Sequence, residues 1–291
     1  MLTLSSLKVA LRSVFCNIGE NTYRVKSMPN LKVRNLRIIV LSSAGTILIL
    51  ACAAIAPTTP LNLQPIPIGT SIPLYQKITL TSAQSIEYSQ SPNYKITTET
   101  PEFIGSIDPH VLNLNNDMIA LVDKSVSDFK QNLAAGNRTP LPGGSSFNVH
   151  YKLVSPPGNT LSLKFDMEGY VSGAAHPYHY SQTVNFDLAQ GKDIALRVLF
   201  LPNSNYLETI AAYCVAQLKS RNIGFDPGFT QGADPTPDNY RNWNITADGM
   251  LITFDEYQVA AYAAGPQTVV VPYSELKALI DPQGLLGNFV K

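Results

Sequence analysis

The chain has 291 residues, of which 45% are hydrophobic and only 14% charged, so it can bury a sizeable core and is poor in charge for a disordered protein. Its 21 basic and 21 acidic residues are segregated: seven basic residues and one acidic residue precede Cys52, which leaves 14 basic against 20 acidic residues, a net charge of −6, from Cys52 onward. Because nucleic-acid binding needs a basic surface, we expect no nucleic-acid partner.

Residues 1–56 have the pattern of a signal or anchor segment. Lys32, Arg34 and Arg37 precede a largely apolar run over residues 38–56, as in a secretion signal. The run leads through Ile49-Leu50-Ala51 to Cys52, which resembles a bacterial lipobox with Cys52 as the lipidated residue. A retained transmembrane anchor and cleavage with free secretion are the alternatives, since the run approaches the ~20 residues that span a bilayer. All three place the rest of the chain outside the cytoplasm, and Met28 is an alternative start.

Residues 57–74 follow as a tether. Proline recurs five times between Ala53 and Pro73, among threonine, asparagine and glutamine, and such a segment can neither pair as a strand nor continue as a helix. Residues 75–110 then alternate weakly between apolar and polar positions in short runs, which predicts a small N-terminal β region. We assign residues 111–285 to one larger domain.

That domain begins with a predicted helix and a three-stranded meander. The helix has caps at Asn115–Asp117 and an apolar stripe, and it ends at Gly136. The stripe comprises Ile119, Val122, Val126, Phe129 and Leu133. Strict alternation over residues 147–153, 161–167 and 180–188 predicts antiparallel strands with one buried and one solvated face.

A second helix is predicted from Ser204 or Asn205 to about Asn222. Its apolar stripe includes Cys214, the single cysteine of the body, which we interpret as inert core packing because no intradomain partner exists. Residues 225–242 are rich in proline, glycine and aspartate and predict a long exposed loop. A hairpin turned by Asp248-Gly249, a strand over residues 269–271 and a short helix capped by Ser274 complete the domain. The whole pattern predicts an α+β fold, in which two main helices pack on one face of an antiparallel sheet beside the small N-terminal β region.

His176 and His179 form the one closely spaced histidine pair, and they raise the hypothesis of a metal site. Pro177 between them opposes a helix, and in a strand the two side chains would point to opposite faces, so we expect no metal and no cofactor. The preferred interpretation is that residues 170–180 form a corner between two strands, in which His176 bonds to the corner and His179 is exposed.

The aromatic residues near this corner and in the long loop favour a binding surface, because tyrosine and tryptophan supply apolar area with a polar tip. We assign Tyr180 and Tyr257 to the core. The candidate contact surface comprises Tyr170, His176, Tyr178, His179, Tyr240, Trp243 and Tyr262.

Several spaced motifs resemble a family of bacterial extracytoplasmic domains. They are Gly173-Ala-Ala-His176-Pro177, Val184-Asn-Phe-Asp-Leu188, Gly191-Lys192, Leu199-Phe200, Asp248-Gly249, Tyr257-Gln-Val-Ala-Ala-Tyr262-Ala-Ala-Gly265-Pro266 and Val271-Pro-Tyr-Ser-Glu-Leu276. The family includes the extracellular part of the lysozyme-sensing anti-sigma factor RsiV, a domain that accompanies some peptidoglycan deacetylases, and the secreted mycobacterial immunogenic protein. The resemblance covers roughly residues 75–282, and Ala174 replaces a glycine that is usual in the family.

The resemblance implies an antiparallel α+β fold, no catalytic activity of the domain itself and, in the anti-sigma members, a receptor for a protein. Residues 1–37 are too short for an ordinary sigma-binding domain, so we do not expect anti-sigma signalling. We therefore expect a non-catalytic domain, anchored to the cell envelope through a lipid or an N-terminal anchor, that binds an extracellular protein or a cell-wall glycan. The alternative is a cell-envelope hydrolase or deacetylase-like enzyme that uses Asp166, Glu168 and His176.

Overall fold

The computed structural model describes residues 73–135, 142–225 and 228–290, which form two β-sheets, each with its own helix. The α+β class is therefore confirmed. The predicted signal segment, residues 1–56, and nearly all of the tether, residues 57–74, lie outside the described residues. Within the described ranges, no helix is both long and apolar enough to cross a membrane.

The first sheet has six strands in the order of the chain, β1 to β6. Their bounds are Thr79–Gln90, Asn93–Ile104, Ser145–Leu153, Thr160–Tyr170, Tyr178–Asp187 and Lys192–Asp193. All neighbouring pairs are antiparallel except β2 and β3, which run parallel. A parallel pair needs a long crossover, and the helix α1, Pro109–Ala135, provides it. The segment predicted as a small β region thus contributes β1 and β2 to the main sheet.

The helix α1 begins earlier than its predicted caps. Asp108 accepts a hydrogen bond from the backbone N–H of His110 at 2.9 Å, and Pro109 occupies the first turn, where its missing N–H costs nothing. Asn115 instead bonds through its side chain to the backbone of Phe103 on β2. The earlier start also shifts the buried stripe, so that Met118 faces the core and Ile119 is exposed.

The second layer packs a three-stranded antiparallel sheet against the helix α2. The strands are β7, Trp243–Ile245, β8, Gly249–Phe254, and β9, Gln267–Pro272, and α2 spans Tyr206–Lys219. A one-turn helix α3, Tyr273–Leu276, follows β9 directly, and Pro272 precedes it where Ser274 was expected as the cap. The predicted hairpin is confirmed, with Thr246 N–H bonded to Gly249 O across its turn.

Two separate hydrophobic cores result, so the prediction of one sheet carrying both helices was wrong in this respect. One core lies between α1 and the first sheet, and the other lies between α2 and the second sheet. Between the layers, Ser162 on β4, Asn185 on β5 and Asn244 on β7 are buried and hydrogen-bonded to one another. The polar face of β4 and β5, which strict alternation predicts to be solvated, is thus partly covered by the second layer.

Candidate functional site

The segment between β4 and β5, residues 171–177, is a turn, as expected for a corner. Gly173 has a φ of 85°, a conformation that favours glycine, and Ala174 N–H bonds to Val171 O at 2.8 Å. Ser172 N–H is held by the hydroxyl of Ser145 at the start of β3. The turn therefore has a defined shape and presents His176 at its exposed end.

His176 belongs to a group of three rings, which we call the aromatic platform: His176, Tyr257 and Tyr262. The imidazole stacks on Tyr262 with ring centroids 3.8 Å apart at 30°, and Tyr257 lies 5.8 Å from Tyr262. Nε2 of His176 is 3.3 Å from the Tyr257 hydroxyl, and Nδ1 is 2.7 Å from Pro177 O. The predicted bond between His176 and its own corner is thus present, and the ring also joins the corner to the loop that follows β8.

Tyr257 was predicted in the core, and this prediction was wrong. Its side chain is 56% exposed and its φ is +64°, which is uncommon for a bulky non-glycine residue. The neighbouring Gln258 holds the turn, because its side-chain amide donates to Gly232 O and Asn239 O, both at 2.9 Å. Such strain persists only where surrounding contacts fix it, and it clusters at functional sites.

His179 lies next to the platform between two carboxylates. Its Nδ1 donates to Glu256 at 2.6 Å, its backbone N–H donates to the same carboxylate at 3.0 Å, and Nε2 is 3.6 Å from Glu168. Glu256 is almost buried at 7% exposure, whereas Glu168 is 50% exposed. The expectation of a simply exposed His179 was therefore incomplete, since its ring ties β5 to the loop after β8.

A second pair of carboxylates, Asp166 and Asp255, lies close by in the sequence. Asp166 precedes Glu168 by two residues on β4, and Asp255 directly precedes Glu256 after β8. Lys164 forms an ion pair with Asp166, and Arg241 lies 3.3 Å from the carboxylate of Asp255. Burial raises the pKa of Asp255, although the backbone N–H of Ser181 and then the guanidinium of Arg241 oppose that shift. Lys164 and Arg241 are thus each paired with a carboxylate of their own.

Two tyrosines of the predicted surface flank this region without joining the platform. Tyr178 is on the opposite face of β5 from His179 and packs over Gly169, its partner on β4. Burial, and then the neighbouring Tyr180, raise the pKa of Tyr178 to about 12. Tyr170 is half-buried at the end of β4, on the same sheet face as Glu168.

Tyr240 and Trp243 belong to the second core and are unavailable as a contact surface, so these two predictions were wrong. Tyr240 is 0% exposed, its hydroxyl donates to Ala233 O at 2.8 Å, and its ring packs edge-on against Phe254. Trp243 is 5% exposed at the start of β7. The segment predicted as an exposed loop contains two short 3₁₀ helices, Thr230–Ala233 and Pro237–Tyr240, and Ala233 and Tyr240 at their ends pack into the second core.

The described residues contain no group of three histidine, cysteine, aspartate or glutamate side chains that could hold a metal ion. The pair His176 and His179 takes different partners, as its spacing predicts. Cys214 is buried on α2 as expected, and burial raises the pKa of its thiol to about 12.

Sequence reasoning placed Tyr262 on the contact surface but missed Glu256 and Tyr257, which precede it in the loop after β8. Glu256 and Tyr257 are 77 and 81 residues away from the histidines they contact. A usable signal was present, because Asp255-Glu256-Tyr257 is a polar and aromatic stretch that directly follows a buried strand.

A known protein family matches the part of the chain that contains this loop and most of the second layer. Residues 198–274 match the family model described as "Protein of unknown function (DUF3298)". This range runs from the segment before α2 to the first residues of α3 and includes Glu256, Tyr257 and Tyr262 of the site.

Three curated relatives are similar over larger or smaller parts of the chain. The peptidoglycan-N-acetylmuramic acid deacetylase PdaC of Bacillus subtilis is 26% identical over 163 residues, 55% of this chain and 35% of its own length. Immunogenic protein MPT64 of Mycobacterium tuberculosis is 23% identical over 84% of this chain and its whole length. Esterase Rv3036c of the same organism is 29% identical over 43% of this chain and 54% of its own length. The chain thus spans only about a third of the deacetylase.

Solved structures confirm the fold. A DUF3298 member from Bacteroides fragilis superposes with a TM-score of 0.52 at 16% identity and covers 73% of this chain and 97% of its own. A family member from Pseudomonas aeruginosa gives 0.51 at 15% identity over 70% of this chain and 95% of its own. At these identities the likeness extends to the fold alone.

Proposed function

We propose that this chain is an extracytoplasmic, envelope-anchored binding domain whose contact surface is the aromatic platform together with Glu168. One observation carries the proposal: Tyr257 is held in a left-handed conformation, with most of its ring in solvent, beside a stacked His176–Tyr262 pair. An exposed, clustered set of rings contributes nothing to the core, and such clusters favour recognition surfaces.

The electrostatics of the neighbouring histidine also support binding rather than turnover. Both ring nitrogens of His179 face carboxylates, Glu256 and Glu168, so neither is directed at a hydroxyl or thiol nucleophile. A general base needs a free nitrogen within hydrogen-bond reach of the proton it removes. The arrangement therefore fits a histidine that positions the 255–262 loop.

The location and the class of ligand rest on the sequence. The basic and then apolar leader supports a position outside the cytoplasm, with Cys52 as a lipid anchor or the apolar run as an N-terminal anchor. The ligand is an extracellular protein or a cell-wall glycan, and the resemblance to the RsiV domain supports a receptor role. Loss of palmitate labelling in Cys52→Ser distinguishes a lipid anchor from a retained helix or free secretion.

The binding proposal is tested by retention of the purified chain on cell-wall sacculi and on immobilised cell-wall proteins, including lysozyme. We expect saturable retention on at least one of them, weakened by Tyr262→Ala. Tyr88→Ala is the matched control, because Tyr88 is 67% exposed on β1 in a different part of the first sheet. Equal retention of both variants, or no saturable retention, would contradict the assignment of the platform.

A second candidate is a hydrolase of the cell envelope, and it is favoured by the names of two relatives, a deacetylase and an esterase. The catalytic group expected from the sequence does not assemble, because Glu168 pairs with His179 and Asp166 with Lys164. Release of acetate from peptidoglycan fragments or hydrolysis of short-chain esters by the purified chain, abolished by His176→Ala, would support the enzyme over the binding domain.

A further inference from the structure

The carboxylates beside the aromatic platform outnumber the cations that could neutralise them. Among the described residues, Glu168 and Glu256 share a single basic group, His179, so these three side chains carry a net charge of −1 even when His179 is protonated. The other nearby cations, Lys164 and Arg241, pair with Asp166 and Asp255. The site is therefore electronegative, which favours a cationic ligand over an anionic one.

The negative charge of the site acts on Tyr262. Partial desolvation of the hydroxyl, and then the negative charge of Glu256, raise the pKa of Tyr262. A neutral phenol ring next to a carboxylate attracts a cation in two ways, through the negative face of the ring and through the carboxylate itself. An ammonium group fits both contacts at once.

The shape of the surface favours a ring-shaped ligand. His176 and Tyr262 are stacked at 3.8 Å, which leaves no room for a ligand between them, so contact is made on the outer surface of the platform. Tyr257 lies beside Tyr262, with the ring centroids 5.8 Å apart and the ring planes inclined at 33°. Neighbouring aromatic rings of this kind match the apolar face of a sugar ring better than a flexible lysine side chain, which loses more conformational entropy on binding.

A polar row continues from the platform across the open part of the first sheet. The strand register places Thr97 beside Asn148, Asn148 beside Glu168, and Glu168 beside His179. Four strands at a spacing of about 4.8 Å give a row about 14 Å long. Hydroxyl, amide and carboxylate groups along it suit the hydroxyls of an extended saccharide.

We propose that the ligand of the platform is a glycan bearing free amino groups, with one sugar ring over Tyr262 and Tyr257 and its ammonium group beside Glu168. This inference rests on the proposed binding function and names the ligand for the same site. The amino group, rather than the sugar alone, is what the half-exposed carboxylate of Glu168 recognises.

The test is the affinity of the purified chain, measured by calorimetry, for a glucosamine hexamer and for its N-acetylated counterpart. We expect the free-amine hexamer to bind at least about tenfold more tightly, since acetylation removes the charge that the carboxylate and the rings attract. Raising the salt concentration should lower the affinity for the free-amine hexamer, because salt screens its contact with the half-exposed Glu168.

Matched variants locate the site. Glu168→Gln should abolish most of the preference for the free amine while the affinity for the N-acetylated hexamer changes little. Tyr262→Ala should lower the affinity for both hexamers by about fivefold or more. Tyr88→Ala and Glu102→Gln, both exposed and on β1 and β2, should leave all affinities unchanged.

The outcomes separate the ligand class from the binding function. Equal affinity for both hexamers would overturn the role of the amino group. No binding of either hexamer, combined with binding of a cell-wall protein that Tyr262→Ala weakens, would refute the glycan and leave the binding domain intact. If neither glycans nor proteins are retained in a Tyr262-dependent manner, both proposals are wrong.

Discussion

Removing the Ser162 hydroxyl should weaken the interaction between the two layers and lower the free energy of unfolding. Ser162 is fully buried, and its Oγ accepts hydrogen bonds from Ile245 N–H at 3.0 Å and Asn244 Nδ2 at 2.9 Å, and donates to Asn185 Oδ1 at 2.5 Å. In Ser162→Ala the main-chain N–H of Ile245 and the side-chain oxygen of Asn185 lose these partners away from water. Asn244 keeps its bond to Leu163 O.

The magnitude follows from two uncompensated buried polar groups. Each costs about 1–3 kcal/mol, so we expect the free energy of unfolding to fall by about 3 kcal/mol. That is a large part of the 5–15 kcal/mol typical of a folded domain. The matched control is Ser220→Ala, whose exposed hydroxyl donates only to Gln217 O, and we expect a change within about 0.5 kcal/mol.

Urea denaturation followed by tryptophan fluorescence measures this change. Trp243 is the single tryptophan of the chain, is buried, and accepts a hydrogen bond at its carbonyl from Asn185 across the layer interface. The double variant Ser162→Ala/Asn185→Ala should cost less than the sum of the single variants, because the two side chains share one hydrogen bond. If Ser162→Ala is as mild as Ser220→Ala, the polar contacts do not couple the layers as we argue. Additive costs in the double variant would contradict the hydrogen bond between Ser162 and Asn185.

Three further predictions concern single positions. Because burial raises the pKa of Cys214 to about 12, its thiol should not react with Ellman's reagent up to pH 9 in the native Cys16→Ser/Cys52→Ser variant, which keeps Cys214 as its one thiol, and should react fully in urea; native reactivity of this variant would contradict the burial of Cys214. Gly232→Ala should lower the free energy of unfolding by about 2–3 kcal/mol, because an added Cβ would overlap the backbone oxygen of Gln258 and disturb the site loop, whereas Gly228→Ala, with open space around it, is a harmless control. Tyr178 has a pKa of about 12 in the folded protein, against a pKa near 10 in the unfolded chain. Its contribution to stability is therefore complete below pH 10 and is lost as the pH rises from 10 to 12. In denaturation curves, Tyr178→Phe should lose less stability than the parent protein over this pH range, and an equal loss in both would refute the assignment.

Local patterns predicted the elements well where one side of an element faces an apolar core. The alternation in β3, β4 and β5 and the stripe on α2 gave their positions and buried faces, because a period of two or of 3.6 residues follows from the backbone alone.

The sequence could not show what covers the polar face of the first sheet. A row of Ser, Lys, Asp and Glu on β4 has the same pattern whether water or a second layer lies above it, and here β7 and the loop after β8 lie above part of it. The same long-range packing buried Tyr240 and Trp243 and left Tyr257 exposed, against their predicted positions.

The sequence by itself determined the α+β class, the corner at residues 171–177 and the presence of aromatic and acidic side chains near it, since these follow from local backbone preferences and hydrophobic periodicity. Only the tertiary structure decided that Glu256 and Tyr257 join His176, His179 and Tyr262, which the sequence already placed on the candidate surface. Contacts between residues about 80 positions apart depend on how the two layers pack, and that packing is set by the buried polar groups between two cores rather than by any local pattern.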